Sequence, residues 1–360
     1  MEPNPTFANV REGIDLLLEH GLEGTIVVSL GGGSAMDCAK AISVICVNAG
    51  SGADVGSFCR NPVIDPKTGM MDPASAVPSV LPEKDGLPII AVPTTSGTAS
   101  ETNGGGVLTD SDAPIRRKVI FSHGSAASKL TLLDPVLTLK LPAYPTATCG
   151  MDALTHSLEA FTSKRQNPYS DAVAFGVIRT VAQWLPRLLN DLSDLEARSQ
   201  IQLASHMAGV AFGVAGLGIA HALGHPLSAV LNQAHGQTLS TMLPHIMDFN
   251  LPARADKYAM VADAFGVKDP ALSDEENARR AIKAVAELSI QVGCAKSIID
   301  MGGSEDIIDN LVEQAMTDTS MMATPVMPTA ADVRAMYQKA LRDPVLYPEA
   351  ESVGVGRARL

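Results

Sequence analysis

The sequence predicts an α/β domain built on a parallel sheet, followed by an all-α domain. Three observations predict it. Short β-branched runs alternate with glycine turns and helical periodicity up to about residue 140. Strand patterns then stop at Leu141-Pro142, and helical periodicity rich in Ala, Leu and Met continues to about Leu341. Four of the eight histidines fall in two short pieces of that second half. A chain of 360 residues is too long for one ordinary domain. The change of texture places the boundary near 142–146, with domains at 1–144 and 145–360.

Residues 6–21 read as an amphipathic helix. Phe7, Val10, Ile14, Leu17 and Leu18 recur at helical spacing, and Gly21 is a stop. Thr25 to Leu30 is a short β-branched run, a buried parallel strand by composition. It ends in Gly31-Gly32-Gly33-Ser34, and a helix follows from about Ala35 to Val47. Strand, glycine turn and helix together suit phosphate, because the backbone comes close and helix N-terminal amides face the anion. Most glycine-rich turns are only turns, so the position after an apolar strand carries the weight. Asp37 in the first helical turn reads as structural, since a carboxylate facing a pyrophosphate would be repelled.

Residues 48–87 are rich in Gly, Pro, Asp and Ser, with a turn signal at Asp65-Pro66-Lys67-Thr68-Gly69. So long an irregular stretch reads as an insertion without chemistry. Leu87 to Pro93 is the next strand, followed by Thr94, Thr95, Ser96 and Thr98 around Gly97. Their hydroxyls can donate to a phosphate or an amide, or simply cap a turn. Val107-Leu108-Thr109 and Lys118 to Phe121 read as paired strands joined by Asp110 to Pro114. Arg116, Arg117 and Lys118 read as a solvated edge. Leu130 to Pro135 is the last strand and exit turn.

In the second domain, Asn167-Pro168 opens a helix by its cap chemistry. Residues 194–214 and 216–232 are buried central helices, and Leu231 to His235 leads into a turn at Gly236. Residues 273–293, 304–316 and 330–341 are amphipathic outer helices, and Glu349 to Leu360 is a frayed tail. The most apolar run, Met207 to Gly224, is rich in Gly and Ala and contains His221, so it reads as a buried helix rather than a membrane span.

Asp152 and His156 are one helical turn apart, and His221 and His225 repeat the spacing. A carboxylate and several imidazoles converging on one point suit a divalent ion, iron or zinc. A lone pair of this kind is usually two unconnected residues. Two pairs plus His235 beside Gly236 shift that balance. His206 and His245 match no motif and read as ordinary helix histidines.

A net charge of −12 disfavours nucleic acid and anionic membrane as partners. The five cysteines are scattered, with no C-x-x-C, which fits reduced thiols in the cytoplasm. Met1 to Pro5 has neither a basic nor an apolar region, so no signal peptide is expected.

Four pieces in order resemble the iron-containing (group III) alcohol dehydrogenases. They are Gly31 to Asp37, Pro93 to Glu101, Gly150 to His156, and His221 to Gly236. The resemblance runs from Pro3 to about Ala340. It implies that the first domain is a Rossmann-like dinucleotide-binding domain and the second carries the metal. It places Fe2+ or Zn2+ on Asp152, His156, His221 and His235. It puts the cofactor pyrophosphate, of NAD or NADP, on Gly32, Gly33 and Ser34. Thr94, Thr95, Thr98 and Lys118 would lie beside the cofactor, with Thr138 near its adenine end. His225 would stand by the nicotinamide as proton relay, or alternatively only orient His221. A small alcohol or aldehyde is the implied substrate, and a homo-oligomer the implied assembly.

Family members usually begin with another strand–helix–strand before the element matching Pro3 to Thr6, and such a unit takes roughly thirty residues. The expectation is therefore an N-terminally incomplete sheet, with the choice of NAD or NADP and cofactor binding itself left open. Three other readings stand beside this one. A dehydroquinate-synthase-like enzyme shares the architecture. It would place a glutamate at Asp152 and needs a basic cluster that the α-domain lacks. A truncated relative would hold metal without cofactor. A metal-dependent hydrolase would leave the glycine and threonine loops unexplained.

Overall fold

The computed structural model describes residues 4–344 except 61, 64, 66–71, 73, 74, 76, 111 and 115. The expected tail and most of the turn at Asp65 to Gly69 lie outside the described residues. The chain opens on α1 (Phe7–His20), whose capping box joins Thr6 and Asn9. Gly21 ends it with φ 87°, a conformation glycine adopts without strain.

A parallel sheet follows in the order β1 (Val27–Gly31), β3 (Ile89–Pro93), β6 (Leu130–Thr131). Helix α2 (Gly33–Asn48) starts directly from the glycine turn. β1 is not the doubly buried strand that its composition suggests. Val28 is 62% exposed and Leu30 60%, while Ser29 between them is buried. Helix α2 packs against the opposite face of β1 and β3, and α1 packs on α2. Val10, Ile14, Val44, Ile45, Leu108 and Phe121 are among the side chains of its core.

The expected strand pair is the hairpin of β4 (Gly105–Asp110) and β5 (Arg117–Ser122). These join a short β2 (Cys59–Arg60) in a second sheet, antiparallel throughout, in the order β2-β5-β4. β2 lies inside the stretch expected to be irregular. The expected strand at Leu130 to Pro135 pairs only over two residues and then turns through Asp134, whose carboxylate accepts the Val136 amide.

The helical part begins with α3 (Ala143–Thr162), buried almost throughout from Thr146 onward. Around it pack α4 (Pro168–Asn190), α5 (Leu195–Ala215), α6 (Ile219–Leu231), α7 (His235–Ala264) and α8 (Asp274–Gln291). Helices α9 (Ile308–Met316) and α10 (Ala330–Ala340) complete it. They enclose one apolar core that includes Leu154, Ile178, Ile201, Leu223, Leu243 and Ile282. The apolar run Met207 to Gly224 is not one helix. It breaks at Gly216–Gly218, where α5 and α6 bend by 115°. No single helix among the described residues is long and apolar enough to cross a membrane.

Gly236 is not a turn. Asn232, with φ 50°, ends α6, and α7 already starts at His235. The reason for glycine there is contact: a Cβ at 236 would lie 2.0 Å from the Thr148 carbonyl oxygen. Glycine lets the first turn of α7 press on α3.

Candidate active site

Asp152, His156 and Glu159 lie along one face of α3, at positions i, i+4 and i+7. All three are buried. Glu159 reaches the start of α6, where its Oε1 accepts the Ala220 amide at 2.6 Å. A carboxylate at a helix N-terminus is favoured there. Its Oε2 accepts His221 Nδ1–H at 2.5 Å. That bond sets the tautomer and turns His221 Nε2 toward Asp152. Glu159 had a signal in the sequence, its place on the same helical face, which the reading by histidine pairs passed over.

Three imidazole nitrogens face one carboxylate oxygen. From Asp152 Oδ1 the distances are 3.5 Å to His156 Nε2, 3.8 Å to His221 Nε2 and 3.8 Å to His235 Nε2. These are too long for hydrogen bonds. For Asp152, His156 and His221, whose ligand atoms all lie within 4.8 Å of one another, this approaches the roughly 3.4 Å between ligands that each sit about 2.1 Å from a tetrahedral ion, and His235 adjoins them through Asp152. Asp152 Oδ1 and His221 Nε2 are buried with no hydrogen-bond partner. Donor type, spacing and orphaned atoms together fit a divalent cation. Burial works to raise the Asp152 carboxyl, but His156, His221 and His235 outweigh it and hold the group well below the usual carboxylate range. Burial pushes His156 down to about 4. It also works on His221, but Glu159 and Asp152 lift that ring to about 9.

His225 stands apart from this group. Its Nδ1 pairs with Asp318 Oδ2 at 2.6 Å, and its ring stacks on His235 with centroids 5.0 Å apart. The Asp318 side chain is only 8% exposed and also accepts the Ser320 amide. Nothing in the sequence marks Asp318, 93 residues from its partner.

The cleft beside these residues has a volume of about 890 Å³ including its mouth. Gly33, Ser34, Thr98 and Lys118 line it, together with Asp152, His156, His221, His225 and His235. Gly32, Thr94, Thr95 and Thr138 do not line it. Gly32 is backed by Thr95, which a Cβ would approach to 3.0 Å. A Cβ on Gly33 would lie 2.6 Å from Thr98. The two loops are locked together, and the Thr94 amide donates to the Gly31 carbonyl. Thr138 is buried with its hydroxyl on the Pro135 carbonyl. The first turn of α2 has no side-chain cap, so its amides are left for a ligand in the cleft.

Asp37 lines the cleft as well, but its charge is already answered. Its Oδ1 accepts Ser100 Oγ–H, its Oδ2 accepts the Val107 amide, and Lys40 lies 3.8 Å away. Lys40, 1% exposed, donates to Ser100 Oγ and to the Gly105 carbonyl. This buried group ties α2 to the strand that forms the cleft wall. Lys118 is no solvated edge: its ammonium donates to Asn4 Oδ1 at 2.6 Å, and burial pushes it down to about 8. His206 pairs with buried Glu101 at 3.2 Å, and His245 with the Asp343 carbonyl at 2.9 Å, so both are structural.

Comparison with known proteins identifies the family. Residues 1–135 match the family described as iron-containing alcohol dehydrogenase. Residues 146–341 match the Fe-containing alcohol dehydrogenase family, C-terminal. The chain is 33% identical to the NAD-dependent methanol dehydrogenase of Bacillus methanolicus, over 94% of this chain and 83% of that one. It is 34% identical to the 1,3-propanediol dehydrogenase of Citrobacter freundii, over 94% and 81%. A crystal structure of 1,3-propanediol oxidoreductase superposes with a TM-score of 0.83 at 32% identity, covering 94% of this chain and 82% of that one. The chain belongs to the iron-containing alcohol dehydrogenase family and is an oxidoreductase acting on alcohols.

Proposed function

We propose that this protein is a metal-dependent, NAD- or NADP-linked alcohol dehydrogenase that also runs as an aldehyde reductase on small substrates. The observation that carries the reading is the convergence of three imidazole nitrogens on Asp152 Oδ1. Asp152, His156, His221 and His235 would hold Fe2+ or Zn2+. When bound, the ion supplies Lewis acidity toward a substrate oxygen, and the nicotinamide supplies hydride exchange with the carbinol carbon.

The chain's own residues do the rest. Gly33 and Ser34 offer amides to the pyrophosphate, and Thr98 and Lys118 flank it. Phe212 and Leu217 form an apolar wall by the imidazoles and exclude water. His225, oriented by Asp318, keeps Nε2 free to pass a proton to or from the substrate oxygen. Five free cysteines, four of them buried, fit a reducing compartment, the cytoplasm.

The test strips the purified protein with a chelator, reloads it with Fe2+ or Zn2+, and follows NADH or NADPH oxidation with small aldehydes. Reduction that returns only with the ion is expected, at about one ion per chain. Full activity in the stripped protein would sink the metal assignment. His225→Ala is expected to keep the ion and lose about a hundredfold in kcat. Loss of the ion instead would put His225 among the ligands.

A further inference from the structure

A second cavity of about 500 Å³ including its mouth adjoins the cleft. It lies between the antiparallel sheet on one side and α6 and the segment after α9 on the other. The two cavities share Lys118, Ile120 and His225. The sheet contributes Arg60, Arg117 and Lys118 to it. Arg60 lies opposite Ile120 in the β2–β5 register. Ile120 and Lys118 are two apart on β5, so Arg60 and Lys118 are diagonal neighbours on one face.

The charges there do not cancel. Arg117 is answered by Asp110 at 3.2 Å, reached on the β4 side. The one carboxylate lining the cavity, Asp318, is engaged by His225 and the Ser320 amide. Lys118 donates to a neutral amide oxygen and, with a pKa of about 8, keeps its proton at neutral pH. Among the described residues no acidic side chain pairs with Arg60. Arg60 thus brings a cation to this cavity with no carboxylate there free to answer it. This occurs in a chain of net charge −12, where carboxylates are plentiful elsewhere.

We propose that the substrate carries an anionic tail, a carboxylate on its carbon chain. Its carbonyl end lies in the cleft at His225, and its acid end passes Ile120 to Arg60. Gln314 and Thr317 line the same cavity and offer further hydrogen-bonding groups. The proposal rests on the dehydrogenase reading and names its substrate class.

The experiment uses the metal-loaded full chain with NADH or NADPH and aldehydes paired by length: butanal against 4-oxobutanoate, and pentanal against 5-oxopentanoate. The acid member of at least one pair is expected to show a kcat/KM about tenfold higher or more, through KM, as a charge-assisted contact supplies. In Arg60→Met that acid-to-neutral ratio should fall toward one. Should that variant fail to fold, 0.5 M KCl on the wild type makes the same test: KM for the acid should rise and KM for the neutral aldehyde should not. Neutral aldehydes reduced as well as their acid partners would overturn the anionic tail and leave the dehydrogenase reading intact. A preference for acids that survives both Arg60→Met and salt would overturn the assignment to this cavity. No reduction of any aldehyde would overturn the dehydrogenase reading itself.

Discussion

A single glycine decides whether the third imidazole reaches the others. His235 opens α7, and its neighbour Gly236 touches the Thr148 carbonyl of α3 so closely that no Cβ fits. Both contacting atoms belong to backbone, and neither can swing away. Gly236→Ala is therefore expected to push the first turn of α7 off α3 and carry His235 with it. The expected outcome is at least tenfold weaker binding of Fe2+ or Zn2+, measured by metal competition, in a protein whose helical circular dichroism is retained. Unchanged metal affinity would show that His235 is dispensable or that the helices yield. Glu159 acts at the same scale. One carboxylate both holds the start of α6 and aims His221, so a local helix-terminus interaction and ligand orientation come from one side chain.

At the scale of elements, β1 shows how composition misleads. A run of Ile, Val, Val and Leu reads as buried, yet Ile26, Val28 and Leu30 are all more than half exposed. The pleat sends alternate side chains to opposite faces, and only the face toward the helices is covered. Val28→Thr keeps the β-branch and should change stability by less than about 0.5 kcal/mol. Ile89→Ala on the neighbouring strand, where the side chain is buried, should cost about 2–5 kcal/mol. Denaturant unfolding of both variants is the check, and similar losses would mean that the outer face of β1 is packed in solution. The α5–α6 break is the opposite case. An apolar run that looks continuous is interrupted because Gly216, with φ 78°, and Gly218 release the chain to turn 115°. That turn brings His221 to face α3.

For the whole molecule, burial leaves a pH signature. The thiols of Cys38, Cys59, Cys149 and Cys294 are pushed up to about 12, and that of Cys46 to about 11, by desolvation. Their usual value is 9.0, so above that pH the unfolded chain loses protons that the native chain keeps. This stability is fully present below pH 9 and is lost as pH rises toward 12. Lys118, pushed down to about 8, and Lys40, also pushed down by burial, contribute the opposite slope up to their usual 10.5, but they are two groups against five. The urea midpoint should fall steadily from pH 9 to 11, and the native thiols should ignore a disulfide reagent at pH 8. Rapid labelling of the folded protein would contradict the burial.

Periodicity and spacing alone determined the two-part architecture, the glycine turn after the first strand, and the two histidine pairs. Each is local: a helix or strand writes its period into consecutive residues, and a turn needs its glycines in place. Tertiary structure decided what those patterns meet. It set His225 against Asp318 and outside the group around Asp152, and it paired Lys118 with Asn4, 114 residues away. It also set a two-residue strand inside a stretch read as an insertion without chemistry, and that strand brings Arg60 to the second cavity. Such partners are far apart in the chain, so no window of sequence contains both, and only packing reveals which charges are answered and which are left for a ligand.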